Sequence, residues 1–214
     1  MNLSELIDAF RVDERDKAKP PNWSDDQLIR WFNEAVEEAA IRKSLLRETL
    51  SLSLIPGDFE IALPARVVEV RTARIVEGGR TYWLDPTDRY EQDRLNRDWR
   101  DIQGRPTAII LDDASITLNR IVSSSATLKL ECFRVPRAPM EDGADEPEIA
   151  VVHHRRLEGW VRFRAYSDPD GDFGNPDKAT QGLADFESYF GRRPDAIHQR
   201  DVNSNRPHRV KVCL

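Results

Sequence analysis

Apolar positions recur every three or four residues toward both ends of the chain and every second residue through its middle. The first period is that of a helix with one buried face, and the second that of a half-buried strand. Residues 3–11 place Leu3, Leu6, Ile7 and Phe10 on one face, which predicts a short amphipathic helix. Ser24 with Gln27 forms a capping box, and Trp23 with Leu28 a hydrophobic staple, so a second helix starts at Asp25. It is expected to run to Arg47, burying Leu28, Phe32, Ala35, Ala39 and Leu46 and wetting Arg30, Glu34, Glu37, Glu38 and Arg42. From Leu50 the period falls to two. Residues 50–54 and 59–63 alternate strictly around Ile55-Pro56-Gly57-Asp58, a predicted hairpin. Residues 67–76 and 81–84 flank Glu77-Gly78-Gly79-Arg80, a second hairpin. Asp85-Pro86 reads as a helix start, with the helix reaching about Trp99, and strands follow at 107–111, 115–118 and 127–135.

The helical period returns after an acidic segment. Ala150, His153, Leu157, Trp160, Val161 and Ala165 predict a third helix starting near Glu148. Asn175 as N-cap, Pro176 at the first turn and Gly191 at the end bound a fourth, whose stripe is Ala179, Leu183, Phe186 and Phe190. Neither late helix is long enough to stand alone, so both must dock on the helix at 25–47. The fold class is therefore α+β: a helical bundle with an inserted β-rich subdomain and an extended C-terminal tail. The bundle takes residues 1–48 and 147–191, and the insertion takes 50–136 with one helix at about 86–99. An acidic linker occupies 137–146, and a basic arm 192–214.

Composition narrows the class. Hydrophobic residues make up 39% of the 214 and charged residues 33%. The first is low and the second high for a compact globule, as suits a subunit that shares its surface with others. A net charge of -6 disfavours a whole-surface nucleic-acid binder. The charge is uneven: six cations in the arm (Arg192, Arg193, Arg200, Arg206, Arg209 and Lys211) face two anions, Asp195 and Asp201. A basic arm on an acidic body marks an interaction segment. Two cysteines, Cys132 and Cys213, make no disulfide framework. Residues 1–10 lack the apolar core of a signal peptide, and no run approaches the about 18 apolar residues of a membrane span, so synthesis in the cytoplasm is expected.

No constellation reads as catalytic, and neither a cofactor nor a resident metal is expected. Asp168, Asp170 and Asp172 are spaced like the start of a calcium loop, but Phe173 stands where the glycine belongs and Ala179 where the closing Glu belongs. His153 and His154 are adjacent and face different ways on a helix, with His153 on the apolar stripe. Ser123, Ser124 and Ser125 lack a nucleophile elbow, and Asp112-Asp113 reads as a turn. Cys132 alternates into a strand core. Trp23, Phe32, Trp160, Phe163, Phe186 and Phe190 read as helical core. Trp83, Tyr90 and Trp99 flank the predicted insertion helix as candidate interface anchors, with Trp83 and Trp99 taken as partner-binding. Arg71, Arg74 and Arg80 lie near a hairpin tip, where they face a partner, DNA or solvent.

Two blocks together resemble a known family. The first is Asn22-Trp23-Ser24-Asp25-Asp26-Gln27-Leu28 with Phe32-Asn33-Glu34-Ala35. The second is Pro147, His154, Leu157, Trp160, Arg164-Ala165-Tyr166, Asp170, Lys178-Ala179 and Phe186 to Gly191. They resemble the head-to-tail adaptor (connector) proteins of tailed bacteriophages. The resemblance implies a structural virion protein at the head–tail junction. It further implies a homo-oligomeric ring of twelve copies, bound to the portal and to a downstream neck or tail protein, with DNA passing through its lumen without specific binding. A stopper or terminator of the same neck is the nearest alternative. A metal-dependent enzyme using Asp168, Asp170, Asp172 and His154 is the alternative from another class.

Overall fold

A computed structural model describes residues 1–167 and 174–194. The architecture is mixed α+β, with two compact units: Met1–Leu46 together with Val135–Arg193, and Arg47–Arg134.

The first unit holds α1 (Leu3–Asp13), α2 (Asp25–Lys43), α4 (Glu158–Tyr166) and α5 (Pro176–Phe190). Asn2 and Glu5 cap α1 reciprocally, and Ser24 and Gln27 do the same for α2. Leu3, Leu6, Ile7 and Phe10 are all buried, as their spacing predicts. Two expectations for α2 change. It ends at Lys43, because Ser44 turns left-handed (φ 51°) and its N–H bonds to the Ala40 carbonyl. Leu46 is buried just beyond that end. The buried face is also broader than expected, since Trp31, Val36 and Ala40 join the core, and of the residues expected on the wet face Arg42 and Glu38 turn inward.

The third helix, expected to start near Glu148, is instead a 3-10 turn, Val151–Leu157, followed by α4. A three-residue period aligns His154 with Leu157, both buried, while Val151 at the start of the turn is exposed. That explains why His154, 1% exposed, sits in the core while His153 is only half-buried against Tyr189. Trp23, Phe32, Phe186 and Phe190 are buried in the same core, with Trp160 and Phe163 packed on it. Residues 137–146 do not run free. Asn33 grips the Met140 backbone through Nδ2 to the carbonyl (2.9 Å) and Oδ1 from the N–H (2.8 Å). The Asp145 and Gly143 carbonyls accept from the N–H groups of Leu3 and Ser4.

The second unit is one curled seven-stranded sheet. Its strands are β1 (Arg47–Leu54), β2 (Glu60–Ala62), β3 (Val67–Glu77), β4 (Arg80–Thr87), β5 (Ala108–Leu111), β6 (Ser115–Leu118) and β7 (Ala126–Arg134). The order is β1-β7-β3-β4-β5-β6-β2. The β3–β4 hairpin forms as read. The other predicted hairpin does not: β1 pairs with β7 and β2 with β6, at opposite edges of the sheet. Nor does Asp85-Pro86 start a helix. Both residues belong to β4, whose pairing passes from β3 to β5 at that point, so the missing Pro86 N–H faces no ladder partner. Asp88 is the true N-cap of a short helix, α3 (Arg89–Leu95). Cys132 lies fully buried in the core of this sheet with Leu128 and Leu130.

α4 and α5 cross where Gly159 meets Gly182. A Cβ at residue 182 would lie 2.8 Å from the Gly159 carbonyl oxygen and 2.8 Å from the Phe163 nitrogen. Both obstacles are backbone and cannot swing aside. Gly to Ala inside a helix ordinarily gains about 1 kcal/mol. Gly182→Ala is expected to lose about 2 kcal/mol or more instead. Urea unfolding of the full chain checks this, and an unchanged or higher midpoint would show that the helices do not cross so closely.

Candidate functional site

The two blocks that carry the family resemblance meet in space. Trp23, before α2, stacks edge-to-face on Tyr166 at the end of α4, with ring centroids 5.3 Å apart. Glu34 forms an ion pair with Arg164, Nε to Oε2 at 3.0 Å. Arg42 fills the seam between α2, α4 and α5. Its guanidinium lies 5.3 Å from both the Trp160 and Phe186 ring centroids. Nε donates to Glu38 at 2.9 Å, and Nη1 reaches Glu187 and the Gly191 carbonyl at 3.3 Å each. The side chain is only 6% exposed. Such a planar fork, stacked and hydrogen-bonded at once, is a task for Arg and not Lys. Arg42→Lys is expected to cost about 2 kcal/mol through the lost stacking and bonds. Denaturant titration reads this, and equal stability of the two proteins would deny the seam its role.

A second polar cluster joins the C-terminal end of α1 to α4 and α5. Glu14 receives Arg162 Nε (2.6 Å), the Tyr166 hydroxyl (2.8 Å) and Lys178 Nζ (3.1 Å), and Lys178 also donates to the Tyr166 oxygen (2.9 Å). Burial alone would raise the Glu14 carboxyl, but the three donors outweigh it and hold it below the usual range. Next to it Arg155 bridges Asp13 (2.9 Å) and Glu158 (3.2 Å). Burial pushes Glu158 up to about 7, against the pull of Arg155 and with help from Asp13.

The folded-state value of Glu158 lies above its ordinary 4.5. Its protonated form therefore favours folding, and that contribution is lost as pH rises from about 4.5 through 7. The loss is on the order of 2–3 kcal/mol. Glu158→Gln is expected to be more stable than the parent at pH 8, with a gap that narrows toward pH 5. Melting temperatures at the two pH values test this, and a constant gap would contradict it.

Neither cluster holds a nucleophile beside a base. Among the described residues no group of three or more His, Cys, Asp or Glu could hold a metal ion. His154 donates from Nε2 to the Ile149 carbonyl (2.9 Å), and its Nδ1 lies 3.0 Å from the Met1 carbonyl oxygen and 3.2 Å from the Met1 nitrogen. Both ring nitrogens are thus engaged by backbone. Asp168, Asp170 and Asp172, the other members of the metal-enzyme alternative, lie outside the described residues.

Of the residues read as partner-binding, Trp83 stands on the sheet surface, 61% exposed, with Arg74 stacked at 5.4 Å. Tyr90 on α3 is 75% exposed. Trp99 is corrected: it is 2% exposed, packs on Phe59 at 5.5 Å and donates to Asp93 at 2.8 Å, so it is an internal strut and no anchor. Arg192 reaches toward Glu187 at 3.8 Å, and Arg193 pairs with Glu38 at 3.0 Å. Arg200, Arg206, Arg209 and Lys211 lie outside the described residues. Sequence reasoning missed Glu14 and Arg42, both charged at positions that read as solvated. Their partners lie on other helices, so no single-helix pattern displays them.

A family model, SU10 adaptor protein, matches residues 1–211. The chain belongs to the SU10 adaptor protein family. It is a phage adaptor-type structural protein and a component of the virion, associating with other phage capsid or tail proteins. A structural adaptor family implies a role other than catalysis. No curated protein matches the chain. No helix among the described residues is long and apolar enough to cross a membrane.

Proposed function

We propose that this SU10-family adaptor forms a ring in the phage neck, twelve-fold to match the portal, joining portal to tail components around the DNA channel. The observation that carries the reading is the family match across residues 1–211. The charge layout supports it: an acidic body suits a channel wall that must not hold phosphates, and a basic arm suits a neighbour's acidic surface. Exposed Trp83 and Tyr90 suit contacts between copies, since aromatic side chains are enriched at interface cores. Permanent interfaces of this kind bury about 2,000 Å² or more. The free subunit stays monomeric until the portal presents a template, which prevents premature polymerisation. Residues 192–214 contribute to portal binding through their cations.

Mixing the purified chain with its portal, followed by sizing and negative-stain electron microscopy, tests the reading. The expected result is a monomer alone and a portal capped by an added ring in the mixture, with binding reduced at least tenfold when residues 192–214 are removed, about 1.4 kcal/mol. A chain that already forms rings alone, or that leaves the portal bare, would overturn it.

A further inference from the structure

Within the second unit a cavity of about 450 Å³ opens between α3 and the strands β4 and β5. Its size falls among ligand pockets, which run from about 300 to 1,000 Å³. Two polar side chains in its wall have bonding capacity that the protein leaves unused. Gln92 is the first. It is only 8% exposed, and its one side-chain hydrogen bond among the described residues runs from Nε2 to Thr87 Oγ1 at 3.2 Å. The Thr87 hydroxyl donates its single proton to Glu91 at 3.0 Å, so toward Gln92 it can only accept. That fixes which way the amide is turned and leaves Oε1 as an acceptor with no protein donor. A buried amide oxygen in that state points to a donor supplied from outside.

Arg120 is the second. It is half-buried in the cavity wall, yet its guanidinium makes no hydrogen bond or ion pair with any described residue. The side chain is laid across the backbone of Gly104: a Cβ there would stand 3.6 Å from Arg120 Cδ and 3.7 Å from Nη1. Gly104 donates to the Ile121 carbonyl at 2.9 Å, so the surface beneath the guanidinium is fixed. Asn119, beside it in sequence, is engaged with Thr107 and Ala108. Apolar side chains complete the wall. Pro86 and Ile102 are half-buried, and Leu95 stands 67% exposed at the rim.

The unused groups define the ligand. Gln92 Oε1 calls for a donor and Arg120 for an acceptor, which amide groups supply as N–H and C=O. A carboxylate suits Arg120 but meets a bare oxygen at Gln92, and exposed Asp85 and Glu91 add two negative charges to the rim. A nucleobase carries similar donors and acceptors, but its phosphates meet the same carboxylates. Trp99, the aromatic ring of the wall, is 2% exposed and offers no face for stacking. An uncharged peptide brings the amides together with an apolar side chain for Leu95, Ile102 and Pro86. We propose that this cavity is the docking pocket for an extended, uncharged peptide segment of a partner protein. The segment's backbone N–H and C=O groups bond to Gln92 Oε1 and to the Arg120 guanidinium, and one apolar side chain lies on Leu95. The pocket requires neither a ring nor a portal, and its test contains neither.

Nuclear magnetic resonance titration of the isotope-labelled full chain tests it, with N-acetyl-leucine N-methylamide as the probe. The probe is expected to shift the Gln92 side-chain amide and the backbone amides of Leu95, Ile102 and Ala108 saturably, with a dissociation constant on the order of millimolar. N-acetyl-leucine, with a carboxylate in place of the second amide, is expected to bind about fivefold more weakly or worse. Cytidine is expected not to saturate. Arg120→Met keeps the stem and removes the donors. Because Arg120 holds no described protein group, its melting temperature is expected to stay unchanged while probe binding falls about tenfold. Leu95→Ala, at an exposed position, is expected to weaken the probe about threefold. No saturable shift in the parent, or undiminished binding by either variant, overturns the proposal. Tighter binding of the free acid assigns the pocket to an anion, and tighter binding of cytidine assigns it to a nucleobase; either result overturns the peptide.

Discussion

The crossing of α4 and α5 at Gly159 and Gly182 is the constraint on which the first unit depends. Two helices of nine and fifteen residues have little stability of their own. Touching backbone to backbone lets their aromatic rings interlock, with Phe186 and Phe190 centred 4.6 Å apart and Trp160 5.3 Å from Phe186. That ring cluster makes the slot into which Arg42 of α2 fits. Glu14 then closes the other end by tying α1 to Arg162 and Lys178. Apolar packing draws the helices together, and the buried ions fix which faces meet.

What was legible in the chain was local. The caps at Ser24 and Asn175, the end at Gly191, the β3–β4 hairpin and the alternation of β7 all rest on residues close in sequence. What was missed was non-local or depended on an unusual period. β1 was recognised as a strand but given the wrong partner, because its alternation fixes which side faces inward and says nothing about β7, some seventy residues on. Pro86 looked like a helix start because a proline suits that place. Only the switch of partner from β3 to β5 shows why a strand tolerates it. His153 and His154 exchanged roles because the segment winds with three residues per turn. Trp99 looked like a surface anchor because its burial depends on Phe59, forty residues earlier.

The candidate site was less legible than the fold for the same reason. The motif residues are conspicuous one at a time, yet their work lies in pairs such as Trp23 with Tyr166 and Glu34 with Arg164. These pairs build a stable body. Structural adaptor proteins need little else: a rigid unit, surfaces that recognise neighbours, and an arm. Here the body is acidic and residues 192–214 are basic, a charge separation that suits contact between different proteins.

The chain is a phage adaptor-type structural protein, and the proposal built on that is a ring in the phage neck. Electron cryomicroscopy of the intact virion, with symmetry applied separately at the head–tail junction, tests it most directly. The account predicts density for α2, α4 and α5 repeated twelve times immediately below the portal. A well-resolved junction whose density is fully explained by other proteins, with this chain elsewhere or missing, would contradict it.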